Sequence, residues 1–308
     1  MTANQVLTQD QVNQYHHQGF VVVQGLLADA LLKGAQENMT ADHPSAECYF
    51  TAPNKFPLYS RTQFSLKRFP FNALEVNRLL IAESILAAAK QLLHSQDIRL
   101  NKGEFWAKYA GAIDYDQAFH RDFGNHTLLV PRRDQRYKEL SIFIYLSDVD
   151  EQSGPTAVLP RPLTDSIAFG ETRLPDNLSF KTEDEECLAL GPAGSVLFYS
   201  YDVFHRGTQL TGVGKARMAV LGDYRSSEAT WISRQGWPEA GLQQAMIEFL
   251  VSATPQQRAL FDIPLPGHRY WNEQTLNDMG IRYKDMDLEP YRERLEPTEA
   301  VFMGSVED

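Results

Sequence analysis

Apolar positions along the chain switch period twice. Near the N-terminus they follow a helical spacing. Thr8 with Gln11 three residues on has the form of a capping box, predicting a helix over residues 7–18 that stops near Gly19. The run Phe20-Val21-Val22-Val23 then reads as a short strand, and residues 26–40 as a second helix. Residues 41–75, rich in Pro, Phe and polar side chains, read as loops. Ile81, Ile85, Ala88 and Leu92 repeat at i, i+4, i+7 and i+11, and Leu79, Leu80 and Leu86 widen the stripe. One buried helix over residues 76–95 is expected, packed against a sheet.

From about residue 98 to 225 the pattern becomes short β-type runs separated by turn clusters. Strands are predicted at 141–146, 195–199 and 216–221, with turns at Gly154-Pro155, 191–194 and 211–215. Many short strands with such turns point to a sandwich or barrel rather than a βαβ fold. Residues 238–308 return to helix and loop, broken by Pro264 and Pro266. The 308 residues carry 43% hydrophobic side chains, enough for one large core, and suit a single domain with helical additions around a β core at about 98–225.

Charge narrows the function. The net charge of −11 repels phosphate backbones, so nucleic acid is not an expected partner. The two cysteines, Cys48 and Cys187, make neither a disulfide framework nor a zinc motif. The first 20 residues lack a signal-peptide pattern, and no apolar run is long enough to span a bilayer. The expectation is a cytoplasmic protein with no membrane partner and a small-molecule substrate. The sequence sets no oligomeric state.

Candidate chemistry starts at Phe119-His120-Arg121-Asp122. On an extended segment, residues i and i+2 face one side, so an imidazole and a carboxylate converge. They make two thirds of a two-His-one-carboxylate triad, which leaves open positions on iron(II) for a co-substrate and O2. His205 is the best third ligand, after the strand at 195–199. Arg217 follows across the turn at 211–215 and opens an otherwise apolar strand. A buried guanidinium there needs a carboxylate, and its planar fork suits one end of a dicarboxylate such as 2-oxoglutarate. The remaining histidines lack such pairing; His126 stands as a spare ligand or a group supporting the ligands.

With these residues in place, the sequence resembles the phytanoyl-CoA dioxygenase family. The resemblance rests on Leu7 to Gly25, on Phe119 to Asp122, on Asp148 to Pro160, and on Gly194 to Phe198 with His205 and Arg217. It implies a mainly β chain with flanking helices, folded as a double-stranded β-helix (jelly-roll, cupin-like). It also implies a dioxygenase using Fe(2+), 2-oxoglutarate and O2 and releasing succinate and CO2. His120, Asp122 and His205 become the metal ligands and Arg217, Thr208 and Lys108 the co-substrate contacts, with Thr156 and Tyr145 as pocket residues. Halogenating relatives replace the carboxylate with a small residue; Asp122 keeps it, so hydroxylation, or a related desaturation or ring closure, is expected. The chain departs from the family at Arg161-Pro162-Leu163, where Gly-Ser-His is usual. That segment is expected to border the entrance, so an acyl-CoA is not assumed. A cupin-like metalloenzyme that does not use 2-oxoglutarate, or a non-enzymatic jelly-roll binding module, would use the same scaffold.

Overall fold

The two longest strands among the described residues, Ile98–Tyr109 and Ala216–Ser226, pair antiparallel along their length in the computed structural model. The structure describes residues 6–56, 65–112, 114–122, 126, 138–169, 171–230, 232, 235–241 and 243–295. In chain order the strands are β1 (Phe20–Val23), β2 (Ser65–Arg68), β3 (Ile98–Tyr109), β4 (Glu139–Tyr145), β5 (Thr156–Val158), β6 (Cys187–Ala189), β7 (Val196–Ser200), β8 (His205–Gly207) and β9 (Ala216–Ser226). Six form one antiparallel sheet in the order β1-β7-β4-β9-β3-β2, and β6-β5-β8 form a smaller one. These are the two sheets of a jelly-roll, as expected. The helices α1 (Gln9–Gln18), α2 (Asp29–Asn38), α3 (Ala46–Thr51), α4 (Leu74–Leu79) and α5 (Glu83–Leu93) flank them.

Period two decides what each strand shows to the interior. Phe143, Tyr145, Leu197, Tyr199, Ala219 and Leu221 meet in one buried cluster. Their neighbours Ile142, Ile144, Phe198 and Val220, also buried, face the other way. Capping at the N-terminus matches expectation: Thr8 accepts from the Gln11 backbone N–H, the Gln11 side chain returns the bond, and Gly19 ends α1 at φ 85°.

The single helix expected over 76–95 is two helices, α4 and α5. Tyr224 Oη donates to Leu80 O at 2.6 Å, taking a carbonyl that would otherwise continue the ladder. Leu80 itself drops onto the sheet where Gly103 and Gly222 face each other across β3 and β9. A Cβ at Gly222 would come 2.6 Å from Leu80 Cδ2, and one at Gly103 2.9 Å from Leu80 Cδ1. Gly222→Ala is therefore expected to cost about 1–3 kcal/mol through overpacking. Urea unfolding of the single variant and of Gly222→Ala with Leu80→Ala checks this, because the double variant should cost less than the sum of the singles.

The loop expected over 41–75 holds α3, β2 and the start of α4. Their signals are short and set by tertiary pairing, Leu66 of β2 lying opposite Trp106 of β3. By its contacts the chain divides into two compact units, Met1–Ala240 and Gly241–Asp308. The second carries helices at Gln244–Ser252, Pro255–Ala259, Glu273–Arg282 and Glu289–Arg292. Its buried Arg258 donates to Leu250 O at 2.9 Å and Asp287 O at 2.9 Å, tying these segments together. Among the described residues no helix is long and apolar enough to cross a membrane.

Candidate metal centre

His120 and His205 are brought together by backbone pairing. His120 N donates to His205 O and His205 N to His120 O, both at 3.0 Å, so the two residues oppose each other directly. Their rings stand 4.6 Å apart between centroids. Asp122, two residues beyond His120, lies 3.4 Å from His120 Nε2 through Oδ1 and 3.4 Å from His205 Nε2 through Oδ2. One ligand atom from each of the three residues lies within 4.8 Å of the others.

The surrounding bonds aim these donors. His120 Nδ1–H donates to Ala118 O at 2.9 Å, which leaves the Nε2 lone pair facing Asp122. Tyr199 Oη donates to Asp122 Oδ2 at 3.5 Å, and its ring lies 4.6 Å from that of His205. Burial opposes ionisation of Asp122, but His205, His120 and Lys102 outweigh it and hold the carboxyl well below the usual carboxylate range. Burial likewise opposes charging His120, yet Asp122 raises its pKa. Two imidazole nitrogens and an ionised carboxylate on one side of a cavity are a donor set that fits iron(II) and leaves coordination positions open.

That cavity, of about 260 Å³, runs from Arg217, Gln117, Thr156 and Gly207 to Lys102 and His126. Arg217 is 4% exposed, and its Nη1 donates to Gly154 O. Among the described residues no ion pair holds it, and burial lowers its pKa. The other two expected co-substrate residues stand differently. Thr208 Oγ1 donates to Pro155 O at 2.8 Å, and the residue does not line the cavity. Lys108 is 1% exposed and lies behind the wall, donating to Thr208 O at 2.7 Å and Tyr115 O at 3.3 Å. Of the two expected pocket residues, Thr156 lines the cavity, whereas Tyr145 is spent on Ala189 O at 2.8 Å.

The far pole places His126, expected as a spare ligand or a supporting group, apart from the triad in a network whose other members the sequence did not announce. His126 Nδ1 stands 2.9 Å from Tyr201 Oη, 3.2 Å from Glu139 Oε1 and 3.6 Å from Asp223 Oδ2. Lys102 Nζ lies 2.9 Å from Asp223 Oδ2, so this buried acidic group already has a cation. A β-bulge between Leu100 and Lys102 accompanies the inward reach of both Asn101, which binds Glu139, and Lys102. The available signal was period two: Lys102 and Glu104 alternate with buried Gly103 and Phe105. Arg161, at the departure from the family pattern, is a structural clamp. Its Nε and Nη2 bind both oxygens of buried Asp202 at 2.7 and 2.9 Å, and its Nη1 donates to His16 O at the end of α1. It is not among the residues lining the cavity.

The comparisons agree with this architecture. EctD from S. alaskensis in its apoform superposes with TM-score 0.55 at 14% identity, covering 77% of this chain and 85% of that one. The non-haem α-ketoglutarate-dependent carbocyclase SnoK from nogalamycin biosynthesis gives TM-score 0.51 at 17% identity, covering 74% and 87%. At such identities the likeness is one of fold. No curated protein sequence matches the chain. The family model for phytanoyl-CoA dioxygenase (PhyH) matches residues 15–219, spanning β1, the facing histidines and Arg217. The chain thus belongs to the phytanoyl-CoA dioxygenase family, whose members depend on iron(II), 2-oxoglutarate and O2.

Proposed function

We propose that this chain hydroxylates a small polar metabolite, with His120, Asp122 and His205 holding the iron and Arg217 holding the far carboxylate of 2-oxoglutarate. The convergence of three donor atoms within 4.8 Å, beside a buried arginine that no ion pair holds among the described residues, carries the reading. Bound iron supplies the O2 chemistry, which couples decarboxylation of 2-oxoglutarate to succinate and CO2 with oxidation of the substrate.

The chain's own residues orient and exclude. Ala118 fixes the His120 ring, and Tyr199 steadies the Asp122 carboxylate. Arg217 offers a planar fork in a site where burial strengthens its attraction for an anion. Trp106, Phe143 and Leu221 give the cavity apolar walls that keep water from the reacting carbon. Lys102, Glu104 and His126 make the other pole polar, which suits a small polar substrate better than a branched acyl chain. The retained carboxylate of Asp122 supports hydroxylation over halogenation.

Anaerobic protein with iron(II) and 2-oxoglutarate should develop a weak visible charge-transfer band. No band would favour a metalloenzyme that does not use 2-oxoglutarate, or a binding module. A screen of small metabolites for stimulated succinate formation then finds the substrate. Product carrying one oxygen atom from labelled O2 is expected; a chlorinated product, or one that has lost two hydrogens without gaining oxygen, would sink the hydroxylase assignment.

A further inference from the structure

Lys102, Glu104 and Trp106 fall at alternate positions of β3, so they share one face of the strand, and all three line the cavity. Along the paired strands Lys102 lies opposite Asp223 and Arg217 lies opposite Lys108, a separation of about 20 Å at the rise of a strand. The iron and Arg217 take the two ends of 2-oxoglutarate, so the Lys102 end of the cavity is left for the substrate. Both charged side chains at that end are buried, Lys102 4% and Glu104 5% exposed. Lys102 Nζ stands 2.9 Å from Asp223 Oδ2. An ammonium has three N–H donors, and among the described residues Asp223 is the one acceptor beside it. Burial opposes its charge, but Asp223, Asp122 and Glu104 outweigh burial and raise its pKa. His126 stands next to it, with Nδ1 3.6 Å from the same Asp223 oxygen. Tyr201 and Glu139 also crowd Nδ1, so Nε2 is the ring nitrogen left to a molecule in the cavity that His126 lines. Glu104 Oε2 accepts from Trp106 Nε1–H at 3.2 Å. A carboxylate has about four acceptor sites, so this bond orients Glu104 without exhausting it.

We infer that this end of the cavity reads a zwitterion: Lys102 donates to a carboxylate of the substrate and Glu104 accepts from its ammonium, so the metabolite oxidised is a free amino acid or a close derivative. This rests on the hydroxylase reading and names its substrate class. The chemistry of the wall selects for both charges together. A simple amine would leave the Lys102 N–H donors unmet, and a simple carboxylic acid would bring its anion beside Glu104 with nothing to offset the repulsion. A molecule carrying both groups answers both side chains. Residues i and i+2 of a strand stand about 7 Å apart, and these two side chains are long enough to converge on a carboxylate and an ammonium that share one carbon. Trp106, Phe143 and Leu221 supply the apolar wall that suits the carbon chain of such a substrate.

The test starts from wild-type protein loaded anaerobically with iron(II) and 2-oxoglutarate, followed by its charge-transfer band and then, with O2, by succinate formation. Free amino acids and cyclic imino acids are compared with the matching amines, which lack the carboxylate, and the matching carboxylic acids, which lack the ammonium. At least one zwitterion should perturb the band and stimulate succinate. Each of its two halves should show a kcat/KM lower by about 10- to 100-fold, the worth of one hydrogen bond to a charged group. Lys102→Met should lose the preference over the amine and keep the preference over the acid. Glu104→Gln should do the reverse. A variant that lowers all three compounds alike overturns the assignment of its residue, because a merely structural loss does not discriminate between them. A band that forms but responds to no zwitterion, or responds equally to one of the halves, overturns the inference and leaves the iron and co-substrate assignments standing. No band with wild type overturns both. Lys102→Met leaves Asp223 without its cation; should it fail to fold, Glu104→Gln and the wild-type comparison decide.

Discussion

Replacing Asp122 with alanine should lower iron(II) affinity by more than the roughly 10- to 100-fold typical of losing a supporting residue, and should abolish turnover. Asp122 is the anionic member of the proposed ligand set and stands 3.4 Å from both imidazoles. Without it, two neutral nitrogens remain at opposed backbone positions, a poor site for a hard, weakly bound divalent ion. His120 and His205 are held in place by their mutual backbone bonds, not by Asp122, so the variant should still fold. Anaerobic metal titration checks the first claim and circular dichroism the second. A folded Asp122→Ala protein with wild-type iron affinity would falsify the ligand assignment.

Arg217→Ala should raise the requirement for 2-oxoglutarate by about 2–5 kcal/mol, roughly 30- to several thousand-fold, the usual cost of truncating one partner of a buried charge pair. Iron affinity should change little, because Arg217 contributes no ligand atom. The same substitution makes a second, opposite forecast. In the protein without co-substrate Arg217 is a buried cation held by one carbonyl, Gly154 O, among the described residues. Removing it relieves a desolvation cost, so the unliganded variant should melt no lower than wild type. The gain in melting temperature that 2-oxoglutarate gives the wild type should vanish in the variant. An unchanged KM for 2-oxoglutarate would remove Arg217 from this role.

These two residues were also the parts of the site most legible in the sequence, for physical reasons. A His and an Asp at i and i+2 converge whenever the backbone is extended, and an arginine in an apolar strand signals a buried charge awaiting a partner. The capping box of α1 and the apolar stripe of α5 were readable because their causes are local. What stayed hidden depends on distant contacts. Residues 76–95 form two helices because Tyr224, far along the chain, takes the Leu80 carbonyl. Glu139, Asp223 and Lys102 carry no signal in the sequence because only the pairing of three strands brings them together around His126. Arg161 resembled an entrance residue by its neighbours in sequence; Asp202 and the end of α1 claim it in space. Family resemblance placed Lys108 and Thr208 near the co-substrate, but the direction of a side chain is set by its partners, and both turn to backbone carbonyls.

Leu80, Gly103 and Gly222 have a consequence for exchanging parts between relatives. The two glycines form a dimple that Leu80 from the α4–α5 junction fills, with Phe69 also pressed over Gly103, so four positions spread along the sequence behave as one steric unit. A relative with a larger residue at the position of Gly222 should carry a smaller one at the position of Leu80. A chimaera that takes its sheet from one parent and its helices from another should fold well only when these four residues travel together.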